Sequence, residues 1–331
     1  METRKIQQVG GGTYTVSIPV EWADEHGLTA GGTAYLYTHR DGSLVVRWGE
    51  IEERALGATV VDLADSDGQA TSRLLMAAYT AGFERITLRR RGGLTDSQRR
   101  AARDGVRELT GVEITDEADD HITVRGLLSA TDVSIRQSVL QLQFIALSMH
   151  DAAVAVFAGE RAEPEYVVTR DDEADRVFRL VERHLNRSLL LLRELDDLGI
   201  DRVRLFEYYW TARHLERIAD HAAKIARTVD CVEYTVPEAF DAEVRAMSDA
   251  AQDVVEDAAD VVINGGPRET VESAFERCVA VAEEGRRLEA QIIDESPEGA
   301  AVLVRLLDSI VRTAEYGGNI AELGFRRAAR E

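Results

Sequence analysis

The sequence predicts a multidomain protein: a small β domain at the N-terminus, a small α/β domain in the middle, and an all-α C-terminal half built from two three-helix repeats. Three observations predict it. Apolar residues alternate with period two between glycines over the first fifty positions. From Ala58 to Arg125 strand-like and helix-like patterns alternate. Beyond Gly126 strand signals nearly vanish and long amphipathic segments take over, the third and sixth of which are related by an internal repeat. The boundaries are placed at 1–50, 51–126, 127–231 and 232–331.

In the first segment, Gly10-Gly11-Gly12 precedes the alternating run Tyr14-Thr15-Val16-Ser17-Ile18, which ends at Pro19. Glu21 to His26 makes about one helical turn, closed by Gly27. Thr33 to Thr38 and Ser43 to Trp48 flank Arg40-Asp41-Gly42, where Asp-Gly is a strong hairpin signal. So small a β unit buries little by itself and needs a second copy to pair with. The residues Arg4-Lys5-Ile6-Gln7, the run from Gly11 to Pro19, Trp22, Gly27-Leu28 and Asp41-Gly42-Ser43-Leu44 resemble the AbrB-like swapped-hairpin DNA-binding domain. The resemblance implies a homodimer of interleaved strands with basic side chains facing DNA. Val20 stands where a lysine commonly follows the proline, and Gly32 at a position often acidic. Arg4, Lys5, Arg40 and Arg47 remain as candidate phosphate contacts; a barrel this poor in cations binds DNA weakly unless dimeric. A dimerisation module that no longer reads DNA is the alternative.

The middle segment reads as strand Thr59–Leu63, helix Gly68–Ala81, strand Arg85–Arg90, helix Thr95–Leu109, then strands Val112–Thr115 and His121–Val124. Its basic cluster, Arg89-Arg90-Arg91 with Arg99, Arg100 and Arg103, is suited to an anion or an acidic partner, or else to a solvated face that offsets neighbouring carboxylates.

Six amphipathic helices are expected in the C-terminal half: Ser129–Gly159, Asp171–Leu195, Arg202–Val229, Pro237–Asn264, Glu269–Asp294 and Glu298–Arg330. Breaks at Gly159–Pro164, Asp196–Asp201, Cys231–Val236, Gly265-Gly266-Pro267 and Ser296-Pro297 give short connections. An offset of 95 aligns Arg217 with Arg312, Ala219 with Ala314, Asp220 with Glu315, His221 with Tyr316 and Ile225 with Ile320. Val311 replaces Glu216, so the second copy of any site there is degraded.

Glu216 and Asp220 lie one turn apart on the third helix, and like charges at that spacing call for a compensating partner. Asp171 and Asp175 are likewise four apart on the second helix. An antiparallel hairpin turning near Asp197 brings the two acidic pairs within three residues of level, about 5 Å along the axis. Four converging carboxylates favour a hard divalent ion or iron. Arginine is the competing partner: Arg213 and Arg217 stand three residues from Glu216 and Asp220, Lys224 stands four from Asp220, and Asp171 to Glu173 suit a helix N-terminus. His214 and His221 lack ligand spacing to those acids.

The chain has 39 basic and 60 acidic side chains, a formal net charge of −21, and only two lysines, Lys5 and Lys224. Such a surface repels itself at ordinary ionic strength and suits a salt-rich, halophilic cytoplasm, where the repulsion is screened; an acidic interaction surface is the other reading. Nucleic-acid binding therefore needs a local basic patch. Cys231 and Cys278 are too few for a disulfide framework or thiolate metal site and are expected in the core. No apolar run follows the N-terminal charges, so no signal peptide is expected. Leu185–Leu195 is too short for a membrane span, and Val139–Phe157 is interrupted by Gln141, Gln143, His150 and Asp151.

The helical half, 127–331, resembles the PhoU family of phosphate-uptake regulators. The resemblance is carried by Glu216-Arg217-Ile218-Ala219-Asp220-His221-Ala222-Ala223-Lys224-Ile225-Ala226, by its echo from Arg312 to Glu322, and by Asp171 to Val177. It implies two three-helix bundles, acidic motifs that hold metal clusters, and negative regulation of phosphate import. Asp171, Asp175, Glu216 and Asp220 match the better-preserved motif, and Glu315 is the remnant of the weaker one. The expectation is a non-enzymatic cytoplasmic regulator whose partners are a phosphate ABC transporter subunit, a signalling protein or DNA. Its rivals are an AbrB-type transcription factor whose helical half only oligomerises, and a carboxylate-bundle metalloenzyme, for which no nucleophile, base and orienting group or Glu-x-x-His pair is found.

Overall fold

A computed structural model describes residues 3–39, 42–48, 56–159, 164–230 and 237–330. Two compact units divide the chain between residues 54 and 55.

In the first unit, strand β1 (Gln7–Val9) pairs antiparallel with β2 (Thr13–Thr15), the turn between them passing through Gly10 at φ +64°. Helix α1 (Val20–Glu25) follows and ends at Gly27, also left-handed. Strands β3 (Ala34–Thr38) and β4 (Leu44–Trp48) form a second hairpin, closed by His39 N–H donating to Ser43 O at 2.9 Å. Asp41 and Arg40 lie outside the described residues; Gly42, at φ +81°, has the conformation the Asp-Gly signal requires. Trp48 binds α1 to β4: its indole N–H donates to His26 O at 3.1 Å, and its ring meets Trp22 edge-on at 4.4 Å. None of the described residues 3–48 is buried.

The second unit starts with the α/β domain. Strands β5 (Ala58–Asp62), β6 (Arg85–Arg89), β7 (Val112–Glu117) and β8 (His121–Gly126) form one sheet ordered β5-β6-β8-β7, with β5 and β6 parallel and the rest antiparallel. Helices α2 (Gly68–Thr80) and α3 (Asp96–Arg107) connect them. Ile86, Leu88, Ile122 and Val124 alternate inward, while Arg85, Arg89 and Arg125 point outward, as period two dictates. Asp67 caps α2 by accepting from Ala70 N at 2.7 Å, and Thr95 with Gln98 forms a reciprocal capping box on α3. Within the basic cluster, Arg90 donates to the Ala64 and Gly93 carbonyls, and Arg99 and Arg103 both pair with Glu117. Those three arginines therefore brace the domain or offset a carboxylate, the solvated-face alternative.

Among the described residues seven α-helices follow: α4 (Ile135–Phe157), α5 (Pro164–Leu190), the short α6 (Glu194–Leu198), α7 (Arg202–Asp230), α8 (Glu238–Asn264), α9 (Arg268–Glu295) and α10 (Ala300–Ala328). Helices α4, α5 and α7 pack as one bundle and α8, α9 and α10 as another; α7 against α10 and α4 against α8 join them over a continuous core. Three boundaries differ from expectation. Helix α4 begins at Ile135 and not at Ser129, behind a single 3-10 turn at Ala130–Asp132. Helix α5 begins at Pro164, a residue favoured in a first helical turn, so Asp171 to Glu173 lie inside the helix and do not cap it. Helix α5 ends at Leu190, short of the expected Leu195, so the connection to α7 spans 191–201 and contains α6. Among the described residues, only α4 is long and apolar enough to cross a membrane, and its Val139, Leu142, Ile145, Met149, Ala153 and Phe157 line the bundle core.

The repeat is visible in contacts. Arg217 pairs with Asp220 at 2.9 Å and the equivalent Arg312 with Glu315 at 2.8 Å. His221 and Tyr316, also equivalent, meet at 5.7 Å between ring centroids, as residues near an axis relating two copies must. Glycines let α10 approach its neighbours: a Cβ on Gly317 would lie 2.7 Å from Val254 Cγ1 and 3.1 Å from the Val255 nitrogen. Gly317→Val is therefore expected to cost about 2–3 kcal/mol by overpacking against backbone, measurable as a lower denaturant midpoint. An unchanged midpoint would show that α8 and α10 can separate freely.

Candidate functional site

Helix α5 and helix α7 run side by side, and helix α2 of the α/β domain lies across their junction. Between them is a cleft of about 370 Å³, lined on one wall by Met76, Ala77 and Thr80 and on the other by Asp175, Arg179, Glu182, Arg213, Glu216 and Asp220. Each carboxylate gets there through helical spacing: Asp175 and Glu182 are seven apart on α5, Glu216 and Asp220 four apart on α7.

Arginines accompany the acids. Arg179 holds Asp175 at 2.5 Å, Arg213 holds Glu216 at 3.3 Å, Arg217 holds Asp220 at 2.9 Å and approaches Glu216 at 3.7 Å, and Arg227 reaches from α7 to Asp171 on α5 at 2.9 Å. Arg213 also lies over the Phe178 ring, 5.2 Å from its centroid. The sequence pairings of Arg213 and Arg217 are thus present.

Burial nevertheless outweighs these cations at the centre of the cleft. Glu216 is only 8% exposed, and burial followed by the neighbouring Asp220 charge pushes its pKa up to about 7, against the pull of Arg213 and Arg217. Burial likewise raises Asp175, which Arg179 pulls back and Asp171 and Asp220 push further. It raises Asp171, where Arg227 opposes it, and Glu182, where Arg213 and Arg179 oppose it.

Of the sequence-proposed residues, Asp175, Glu216 and Asp220 share the cleft. Asp171 sits beside it, close enough to feel the Asp220 charge. Glu315 lies in the other bundle, paired with Arg312 and next to Cys278. There Val311, in the place of Glu216, lies where a Cβ on Gly285 would come within 2.5 Å of its Cγ2, so apolar packing replaces the second carboxylate. Among the described residues, no three histidine, cysteine, aspartate or glutamate side chains group as a metal site requires. As arranged, the converging acids form an arginine-studded cleft and do not fit a cation cage. Cys278 is half-buried, and Cys231 lies outside the described residues.

His214 and His221 flank Tyr316 at the seam between bundles, with ring centroids 5.8 and 5.7 Å away, and both Nδ1 atoms are buried. Burial lowers both, His214 to about 4. Sequence reasoning overlooked Glu182 and the α2 wall. The available signals were the seven-residue step from Asp175 and the arginines at 176, 179, 183 and 187, spaced to share one face of α5.

In the first unit, Arg4 and Lys5 are exposed just ahead of β1, and Arg47 sits on β4 opposite Tyr35. Arg40 lies outside the described residues.

Residues 139–229 match the PhoU domain, and residues 7–47 match the antidote-toxin recognition domain MazE of bacterial antitoxins. A solved phosphate transport system regulatory protein PhoU from Streptococcus pneumoniae is 18% identical, with a TM-score of 0.48 over 60% of this chain and 94% of its own. PhoU from Pseudomonas aeruginosa is 20% identical, with a TM-score of 0.46 over 60% and 96% respectively. No curated protein matches the sequence. The PhoU-matching segment thus spans α4, α5 and α7 and contains Asp171, Asp175, Glu216 and Asp220, behind a head that matches a MazE-type domain.

Proposed function

We propose that this chain is a non-enzymatic cytoplasmic regulator of phosphate homeostasis that restrains phosphate uptake or its signalling. The match of residues 139–229 to the PhoU domain carries the reading, because it falls on the bundle that holds the paired acidic motifs. The helical half docks a transporter subunit or signalling protein. The head dimerises and contacts DNA through Arg4, Lys5, Arg40 and Arg47.

Dimerisation is supported by surface chemistry. Ile6 and Tyr14 are 71% exposed, Leu36 is 65% exposed, and Val9, Val16, Ile18 and Leu44 are also open. So many apolar side chains on a unit with no buried residue among those described call for a second copy to cover them.

The regulatory reading is tested by deleting the gene and following phosphate uptake and transcription of phosphate-transport genes in replete medium. Elevated uptake, restored by the full chain, is expected; uptake that stays at the parental level would remove the reading. For the head, light scattering on the full chain should give a dimer that Ile6→Asp with Leu36→Asp converts to monomer. Footprinting should then show protection that weakens with salt and vanishes in that variant.

A further inference from the structure

The arginines on α5 face two ways. Toward the α/β domain they meet the C-terminal ends of both its helices. Arg183, buried against the Tyr79 ring, donates to Tyr79 O at 2.6 Å and Phe83 O at 3.0 Å; Arg187 donates to Gly82 O at 2.8 Å, and Asn186 to Thr80 O at 2.9 Å. Arg176 and Arg179 reach Arg107 O and Glu108 O at 3.4 and 3.5 Å, at the end of α3. Helix C-termini offer unpaired carbonyls and the negative end of the dipole, which guanidinium groups satisfy. Toward the cleft, the same Arg179 grips Asp175.

We propose that arginine takes the place of metal in this chain: the guanidiniums of Arg179, Arg213, Arg217 and Arg227 occupy the coordination space of Asp175, Glu216, Asp220 and Asp171, and the acidic motif anchors a clamp that seats the α/β domain on the first bundle. Two features of the geometry carry this. A hard divalent ion needs several oxygens converging at 2.0–2.6 Å with their lone pairs free. Here each of the four carboxylates already accepts a guanidinium at 2.5–3.3 Å, and a dication placed among them would be repelled by those neighbouring positive charges. Arg179 then ties the cleft to α3, since its two terminal nitrogens serve Asp175 and Glu108 O separately. This proposal concerns what fills the site, and it stands or falls independently of the regulatory reading.

The test uses the full chain dialysed against Mn(II), and separately against anaerobic Fe(II), followed by elemental analysis of protein and of a Glu216→Gln, Asp220→Asn variant. Equal metal content in the two proteins is expected. One equivalent bound by the native chain and lost from the variant overturns the proposal. Thermal melts give a second readout that needs only the native chain: Mn(II) should leave its melting temperature unchanged; in Arg213→Met, Arg217→Met, where Glu216 and Asp220 lose their guanidiniums, Mn(II) should raise it. A Mn(II)-dependent rise in the native protein would again refute it. For the clamp, Asp175→Asn should speed amide exchange at the C-terminal turn of α3; unchanged exchange there refutes the coupling through Arg179.

Discussion

Glu194→Ala is expected to lower the free energy of unfolding by about 3–5 kcal/mol, the range for breaking a buried ion pair from one side. Glu194 is 1% exposed. It accepts from His184 Nδ1 at 2.7 Å and takes both oxygens' worth of Arg187 Nε at 2.9 and 3.0 Å. Burial alone would raise its pKa, but the His184 and Arg187 hydrogen bonds win and hold it below the usual value. Removing the carboxylate leaves buried His184 without its anion and Arg187 with only the exposed Glu84, at 3.5 Å. Arg187 also holds Gly82 O, so the loss should spread to the α/β domain. Urea unfolding followed by circular dichroism checks the magnitude, and a cost under about 1 kcal/mol would mean that the network is not cooperative.

Acidification from pH 7.5 to 4 is expected to remove about 3 kcal/mol through His150 alone. This histidine bridges the bundles: its Nε2 meets Ser248 Oγ of α8 at 3.1 Å, and its Nδ1 meets Thr313 Oγ1 of α10 at 3.3 Å. Thr313 already gives its proton to Ser309 O, so Nδ1 donates to Thr313, and in the neutral ring Nε2 then accepts from Ser248 Oγ. Burial, aided by His221, lowers its pKa from 6.5 to about 4. The unfolded chain therefore takes up the proton first as pH falls below 6.5, and stability drains away until the folded ring titrates near 4. At 1.36 kcal/mol per unit, that shift is worth about 3 kcal/mol. Glu216 acts in the opposite sense: with its folded pKa raised to about 7 it binds a proton more readily when folded, adding stability as pH falls from about 7 toward 4.5. Comparison with His150→Gln isolates the histidine. The variant's stability should fall less over this interval, and parallel curves would place the acid sensitivity elsewhere.

Much of the architecture was legible because it follows from local periodicity. The strands and helices between Ala58 and Gly126 fall within a few residues of their expected limits, since alternation and capping residues such as Thr95 act over one turn or one pleat. The Arg213–Glu216 and Arg217–Asp220 pairs were legible for the same reason: helix geometry makes residues three apart into neighbours whatever surrounds them. The start of α5 was misplaced because Asp171, Asp172 and Glu173 imitate an acidic first turn. Of the two cations that spacing offers Asp220, Arg217 and Lys224, Arg217 takes it.

By itself the sequence determined the three-part fold class, the internal repeat, and which acids and arginines share a helix face, because all of these depend on spacing along one chain segment. The tertiary structure alone decided that α2 walls the acidic cleft, that Arg183 and Arg187 close the end of that helix from a different domain, and that His150 is stranded between two bundles. Spacing says which side chains point the same way; only packing says what they meet, and burial then sets which of them keep their charge.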